Sequence, residues 1–269
     1  MEYLVKEVEW VVTFKGSGVE CHIDSPGEPL MYRRLPELVS VLKTIPGVDI
    51  VSLQTNGTLL DNKMIAELES AGLDRINLSF HALDPEISRK LAGVDWFDSE
   101  RIISTAQAVA QSRIDLLLAP VYIPGINDAE IPKLIRFAQD IGAGKRFPPL
   151  GIQKFEQYRY GRSPKGVKAQ SWWQFFNRSI KPWEKESGLV LRLDAVRDFG
   201  TVRRQFLPLA FSKGEKVTVE IRAPGWIRGE MLGVARDRVV SVFNSPKNSG
   251  QVRVKIVAVK HNVYVGVPV

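Results

Sequence analysis

Cysteine is nearly absent from this chain. One residue in 269, Cys21, carries a thiol, which excludes an internal disulfide and any metal site built on several cysteines of this chain. Long apolar runs are missing too: none reaches the roughly 20 residues that a bilayer-spanning helix requires. A basic leader is also missing, because the first ten residues, MEYLVKEVEW, carry acids where a secretory signal is basic. Together these absences point to the cytoplasm. Acidic residues then become scarce along the chain. Residues 1–144 hold 13 Lys and Arg against 21 Asp and Glu, a net −8; residues 145–212 hold 14 against 5, a net +9; residues 213–269 hold 10 against 4, a net +6. A basic C-terminal half favours a polyanionic partner, RNA first among them, over a merely basic surface.

What is present is ordinary for a globular protein, 44% hydrophobic and 25% charged, and long enough for one large domain or two smaller ones. The organising stretch runs from Cys21 to Gly57. An alternating run (Val19, Cys21, Ile23) ends in Ser25-Pro26-Gly27-Glu28-Pro29. A helical face follows (Leu35, Leu38, Val39, Leu42), then a second run (Ile50, Val51, Leu53) ending in Thr55-Asn56-Gly57. This is a βαβ unit with a polar cluster at the carboxyl end of each strand, where such units bind ligands. Glu28 and Asn56 are therefore candidate ligand-facing groups, although Gly27, Pro29 and Gly57 are equally read as plain turn residues.

The pattern repeats about every thirty residues. A helix over 2–14 precedes the first strand. Asp61 is placed to cap a helix carrying Met64, Ile65 and Leu68. Arg75–Phe80 alternates as a strand, Leu83-Asp84-Pro85 reads as a turn, and Asp98 caps the next helix. Ile114–Val121 reads as a strand covered on both faces. Asn127 and Glu130 have capping-box spacing before a helix that ends at Gly142. Pro148–Phe155 and Leu189–Leu193 are further expected strands, residues 156–170 a long loop, and Ser171 a helix cap. From Lys213 the period becomes two, with four or five short strands in under sixty residues, the pattern of a small closed barrel. Trp226, Arg228, Arg236, Arg238, Arg253 and Lys255 supply the aromatic and cationic groups of an RNA-binding surface.

The succession GEP, TNG, NLS and PGIND, in this order and at successive strand ends, resembles the radical S-adenosylmethionine (radical SAM) superfamily over roughly residues 1–160. GEMLGVARDRVVSVF followed by VRVKI resembles a TRAM domain, a small RNA-binding barrel. The resemblance implies an α/β fold: a partial (β/α)6 TIM-like barrel of the radical SAM type over 1–193, a linker over 194–212, and a small all-β barrel, TRAM-like or OB-like, over 213–269. It implies that Gly27, Glu28 and Pro29 face the amino group of SAM, with Pro26 where the family usually has another glycine. Thr55 and Asn56 then stand beside the cofactor, Ser79 near its ribose or carboxylate, and Ile123 and Asn127 near its adenine. His81 stands where relatives often carry an acid and is read as structural.

The superfamily also implies a 4Fe–4S cluster on three cysteines, and these clusters require several cysteine ligands. With Cys21 alone, read as a small buried residue, this chain cannot support one, and no catalytic or metal-ligating residue is assigned. The chain is therefore expected to be a truncated, inactive form of an enzyme linked to RNA modification. A cluster-free RNA-binding protein is the alternative.

Overall fold

The computed structural model describes residues 1–158, 163–202 and 204–269 and divides into two units, Met1–Arg203 and Arg204–Val269. Among the described residues no helix is long and apolar enough to cross a membrane.

The first unit is a βα succession. Helix α1 (Glu2–Lys15) leads into β1 (Val19–Ile23), followed by α2 (Leu35–Thr44), β2 (Val48–Thr55), α3 (Asn62–Ser70) and β3 (Arg75–Leu78). Next come α4 (Pro85–Ala92), α5 (Ser99–Gln111), β4 (Asp115–Leu118), β5 (Val121–Tyr122), α6 (Glu130–Asp140) and β6 (Gln153–Lys154). Strands β1, β2, β3 and β4 pair in that order, all parallel, and β5 pairs with β6. A bridge between Leu118 and Leu150 continues the arc. One face of this sheet is apolar and lies against the helices: Val51, Leu53, Ile76 and Leu78 are buried beside Leu38, Leu42, Ile65 and Ile102, with Cys21 half-buried among them. The other face is polar. Arg75 pairs with Glu20 at 2.5 Å and donates to Asn77, and Ser52 links Glu20 to His22. This alternation follows from the period of two along each strand.

Several expectations need correction. Leu83-Asp84-Pro85 is not a simple turn; it starts α4, with Asp84 accepting from the amides of Glu86 and Ile87, and proline stands at the first helical position, where it is tolerated. Asn127 does not cap α6, whose N-cap is Ala129. Its side chain is used elsewhere, as described below. The expected strand Ile114–Val121 is two pieces, β4 and β5, and Pro148–Phe155 pairs only in fragments. Pro120, Pro148 and Pro149 lack the N–H that a continuous ladder would use. Leu189–Leu193 is not a strand. The amides of Leu191 and Arg192 both donate to Glu184 Oε1, at 2.8 Å each, so no sheet partner receives them.

Ser171 forms the expected capping box with Gln174. It opens α7 (Trp172–Gln174), which runs through a wider π-type stretch, Phe175–Ile180, into α8 (Lys181–Ser187). A short helix, α9 (Ala195–Phe199), lies within the segment read as a linker. Part of the expected loop 156–170 and Arg203 lie outside the described residues.

The second unit is a closed barrel of five strands: β7 (Lys216–Pro224), β8 (Glu230–Ala235), β9 (Arg238–Phe243), β10 (Gly250–Ala258) and β11 (Tyr264–Pro268). The order around the barrel is β7, β8, β9, β11, β10 and back to β7, with β9 and β11 parallel and the other pairs antiparallel. Its interior holds Val219, Ile221, Val240, Val242, Val254 and Tyr264. Gly233 faces this interior so closely that a Cβ there would lie 2.7 Å from a Val219 methyl. Gly233→Ala is expected to destabilise the barrel by about 1–3 kcal/mol through overpacking, read as a lowered denaturant midpoint with an unchanged m-value.

Candidate functional site

The polar clusters at the strand ends converge. Glu28 follows β1, and its carboxylate reaches across to the end of β2. Its Oε1 accepts from Thr55 Oγ1 (2.6 Å) and the Leu30 amide (3.1 Å), and its Oε2 accepts from the Asn56 amide (2.9 Å). Both oxygens are thus engaged within the protein. Thr55 Oγ1 in turn accepts from the Gly57 amide. Gly57 has φ +77°, and a Cβ there would meet Leu78 at 2.6 Å, so this turn requires glycine. Glu28 locks the first two strand ends together, and Gly27 beside it faces open space.

The third strand end joins them through its backbone, the Ser79 amide donating to Thr55 O (2.8 Å). Ser79 Oγ accepts from Gln54 Nε2 (2.7 Å), which leaves the hydroxyl proton available. Asn56 uses its carbonyl oxygen to accept from both the amide and the hydroxyl of Thr58, and its NH2 group has no partner among the described residues.

Asn127 is fully buried and braces the far side. Its Oδ1 accepts from the Ile123 amide (2.7 Å), and its Nδ2 donates to His81 O (3.0 Å) and Val121 O (2.9 Å). Ile123 packs with Ala82, Leu91 and Phe155 in a small apolar cluster. Glu130, also buried, accepts from the amides of Leu83 (2.8 Å) and Asp84 (2.9 Å) and from Lys133. Burial alone would raise its pKa; the Lys133 ammonium and the two backbone donors outweigh that and leave it lowered. Asn127 and Glu130 together fix the segment 81–84 that leads into α4.

A cavity of about 350 Å³ opens above these strand ends. Asn56, Ser79 and His81 form one wall; Leu91, Trp96 and Phe97 face them from α4 and the connection to α5. His81 is the group that the sequence did not single out for ligand contact. Its Nδ1 accepts from the Val121 amide at 3.1 Å, and burial pushes its pKa down to about 4. A second cavity, of about 550 Å³, lies where the polar face of the sheet meets α7, lined by Asn77, Gln153, Lys154 and Trp172. There the Lys154 ammonium is buried, paired with Glu156 (2.8 Å) and set over the Trp172 ring (5.0 Å).

Cys21 lies on the opposite, helix-facing side of β1, and burial followed by the charge of Glu20 raises its pKa, which favours the thiol. Among the described residues no three His, Cys, Asp or Glu cluster in a way that could hold a metal ion.

In the second unit, Trp226 and Arg228 occupy the turn between β7 and β8, where Trp226 is 76% exposed. Arg253 and Lys255 alternate outward along β10. Arg236 is held by Glu215 (2.5 Å) and Ala210 O, and Arg238 donates to Asp237 O.

Comparison with known proteins places residues 1–138 on the model of the radical SAM superfamily. An uncharacterized protein of Methanocaldococcus jannaschii is 38% identical over 289 aligned residues, covering 98% of this chain and 66% of that protein. A GTP 3',8-cyclase of Chlorobaculum tepidum is 31% identical over 169 residues, covering 62% of this chain and 49% of that enzyme. The chain thus spans about two thirds of the first relative's length and half of the second's. Streptococcus suis SuiB has a similar fold, with TM-score 0.54 at 17% identity over 68% of this chain and 40% of that one.

The partly buried His81 makes stability depend on pH. Its folded pKa of about 4 lies below the ordinary 6.5, so the unfolded chain binds the extra proton first. Its effect is absent above pH 6.5 and grows as pH falls from 6.5 to 4, reaching a loss of about 3 kcal/mol. Denaturant unfolding at pH 7 and pH 4.5 is expected to show this, and His81→Gln to flatten that part of the profile.

Proposed function

This chain belongs to the radical SAM superfamily, and on that footing we propose that its βα unit binds SAM at the strand ends while its β-barrel holds RNA, the pair serving RNA modification. Members of the superfamily bind SAM and a 4Fe–4S cluster. The SAM half of that pair fits the residues present: a nucleoside-sized cavity, uncharged donors on one wall and an aromatic opposite. The cluster half does not fit, because the only thiol of the chain sits on the helix-facing side of β1 and these clusters need several cysteines. Anaerobic treatment of the 269-residue chain with iron and sulfide is expected to leave it without a stoichiometric cluster; four irons retained per chain would refute this.

The RNA reading rests on the barrel, and above all on Trp226. A five-stranded barrel of the oligonucleotide-binding kind uses the outer face of its second and third strands and the loops after its first and fourth. In this barrel the loop after the first strand carries Trp226, Ile227 and Arg228, and the loop after the fourth carries Lys260 and His261. The outer face of β8 and β9 presents Leu232, Val234 and Val239, opposite to the inward Gly233. An exposed indole, here with Arg228 on the same loop, is what stacking on unpaired bases requires. A TRAM-like identity for this unit is part of the proposal.

A second reading comes from the relatives named GTP 3',8-cyclase, which match at 31–39% identity over 43–62% of this chain. Under that reading the ligand is a free guanine nucleotide and the barrel is incidental. Titration with single-stranded RNA, competed with GTP, separates the two. RNA binding is expected to weaken steeply as salt rises, and Trp226→Ala is expected to lower affinity about tenfold, the order of one lost stacking contact. Deleting residues 213–269 is expected to abolish most of the binding. Unchanged affinity in both altered proteins, or displacement of RNA by stoichiometric GTP, would sink the RNA reading.

A further inference from the structure

The 350 Å³ cavity has an unusual lining for a site at strand ends: no charged side chain contributes to it. Three of its polar groups are donors whose roles are fixed by what they already bond, while the hydroxyls of Thr58 and Ser88, which also line it, spend their protons on Asn56 Oδ1 and Ala82 O. Asn56 has both of its carbonyl contacts filled by Thr58, so it offers N–H. Ser79 accepts from Gln54, so it offers O–H. His81 is decided by the strictest argument. A backbone amide can only donate, so the Val121 N–H pointing at Nδ1 requires that nitrogen to be unprotonated. The single proton of the neutral ring is then on Nε2, which has no protein partner among the described residues. The ring is held in this state from three directions: Val121 fixes its Nδ1, Asn127 fixes its carbonyl, and burial keeps it neutral.

The opposite wall is apolar and aromatic. Leu91 comes from α4, and Trp96, 69% exposed, and Phe97 follow it. A ligand that suits this chamber has a flat apolar ring face, several hydrogen-bond acceptors and no charge. A carboxylate or sulfonium would meet no counter-ion inside and is better left in solvent. A purine nucleoside meets all three requirements, and the volume is at the small end of ligand pockets.

Resting on the SAM reading above, we propose that the cavity takes the adenosyl group, with the methionyl end outside it, and that the Nε2–H of His81 donates to an acceptor of that nucleoside. His81 is thereby a specificity-determining residue: a neutral donor of fixed tautomer, at a position where an acid would present an acceptor and repel the same ligand atom. The brace and the ligand contact sit on opposite nitrogens of one ring, which makes them separable by substitution.

The experiment exploits that separation. Adenosine and SAM are titrated calorimetrically into the wild type, His81→Asn and His81→Gln, and the wild-type histidine nitrogens are followed by NMR. The free protein is expected to show His81 protonated on Nε2 alone, and adenosine to shift that nitrogen more than Nδ1. Asparagine keeps an oxygen near the Nδ1 place for the Val121 amide but has no group at Nε2, and is expected to lose about tenfold in affinity, the order of one hydrogen bond. Glutamine reaches the Nε2 place with an amide donor and is expected to bind within about threefold of wild type. The reverse order, asparagine tolerated and glutamine not, would reduce His81 to a brace and overturn the proposal, as would unchanged affinity in both. If the wild type binds neither adenosine nor SAM, the SAM reading falls and this one with it.

Discussion

The buried carboxamide of Asn127 is the contact on which the far end of the first unit depends. Three backbone groups from two segments, the carbonyl of His81 and the carbonyl and amide of Val121 and Ile123, end in positions where no strand or helix partner is available. Left without partners in the interior, each would cost about 1–3 kcal/mol. One side chain with two donors and one acceptor in the right places removes that cost. In doing so it sets the distance between the third strand end and β5, and hence the position of the His81 ring against the Val121 amide. The adjoining clamp of Glu130 on Leu83 and Asp84 carries the same rigidity into α4, which supplies the apolar wall of the cavity.

A different economy governs the near end. Glu28, the acid that a sequence reading assigns to ligand contact, also receives Thr55, Asn56 and Leu30 on its two oxygens. A carboxylate that accepts three donors is a joint. The side chains of Asn56, Ser79 and His81, which line the cavity beside this joint, are uncharged. Charge sits on the other side of the sheet, in the Glu20–Arg75 pair and at Lys154, close to the larger cavity. The same strands thus carry an uncharged chamber at their ends and a charged one on their polar face.

In the barrel the distinction between internal and available cations matters equally. Arg236 is bound to Glu215 and lies over Phe211, so part of the formal basicity of this unit stabilises its own turns. Other cations stand on the loops after β7 and β10 and along the outer side of β10. On the first of these loops Trp226 is 76% exposed.

The sequence alone was sufficient for what depends on local pattern. The period of two in the last sixty residues announced short strands, the polar clusters GEP, TNG and NLS marked strand ends, and a count of one cysteine excluded a cluster built from this chain. Local pattern failed where a signal has two meanings. Asp84-Pro85 is both a turn and a helix start, and the alternation of Leu189–Leu193 describes an edge of the core whose amides Glu184 takes. The use of each polar group could be decided only by tertiary structure, because hydrogen bonds between residues 28 and 55, 81 and 121, or 81 and 127 join points that no spacing relates. The same holds for the closure of the barrel through the parallel pair β9–β11: pairing between distant strands is a property of the folded chain, while alternation is a property of each strand by itself.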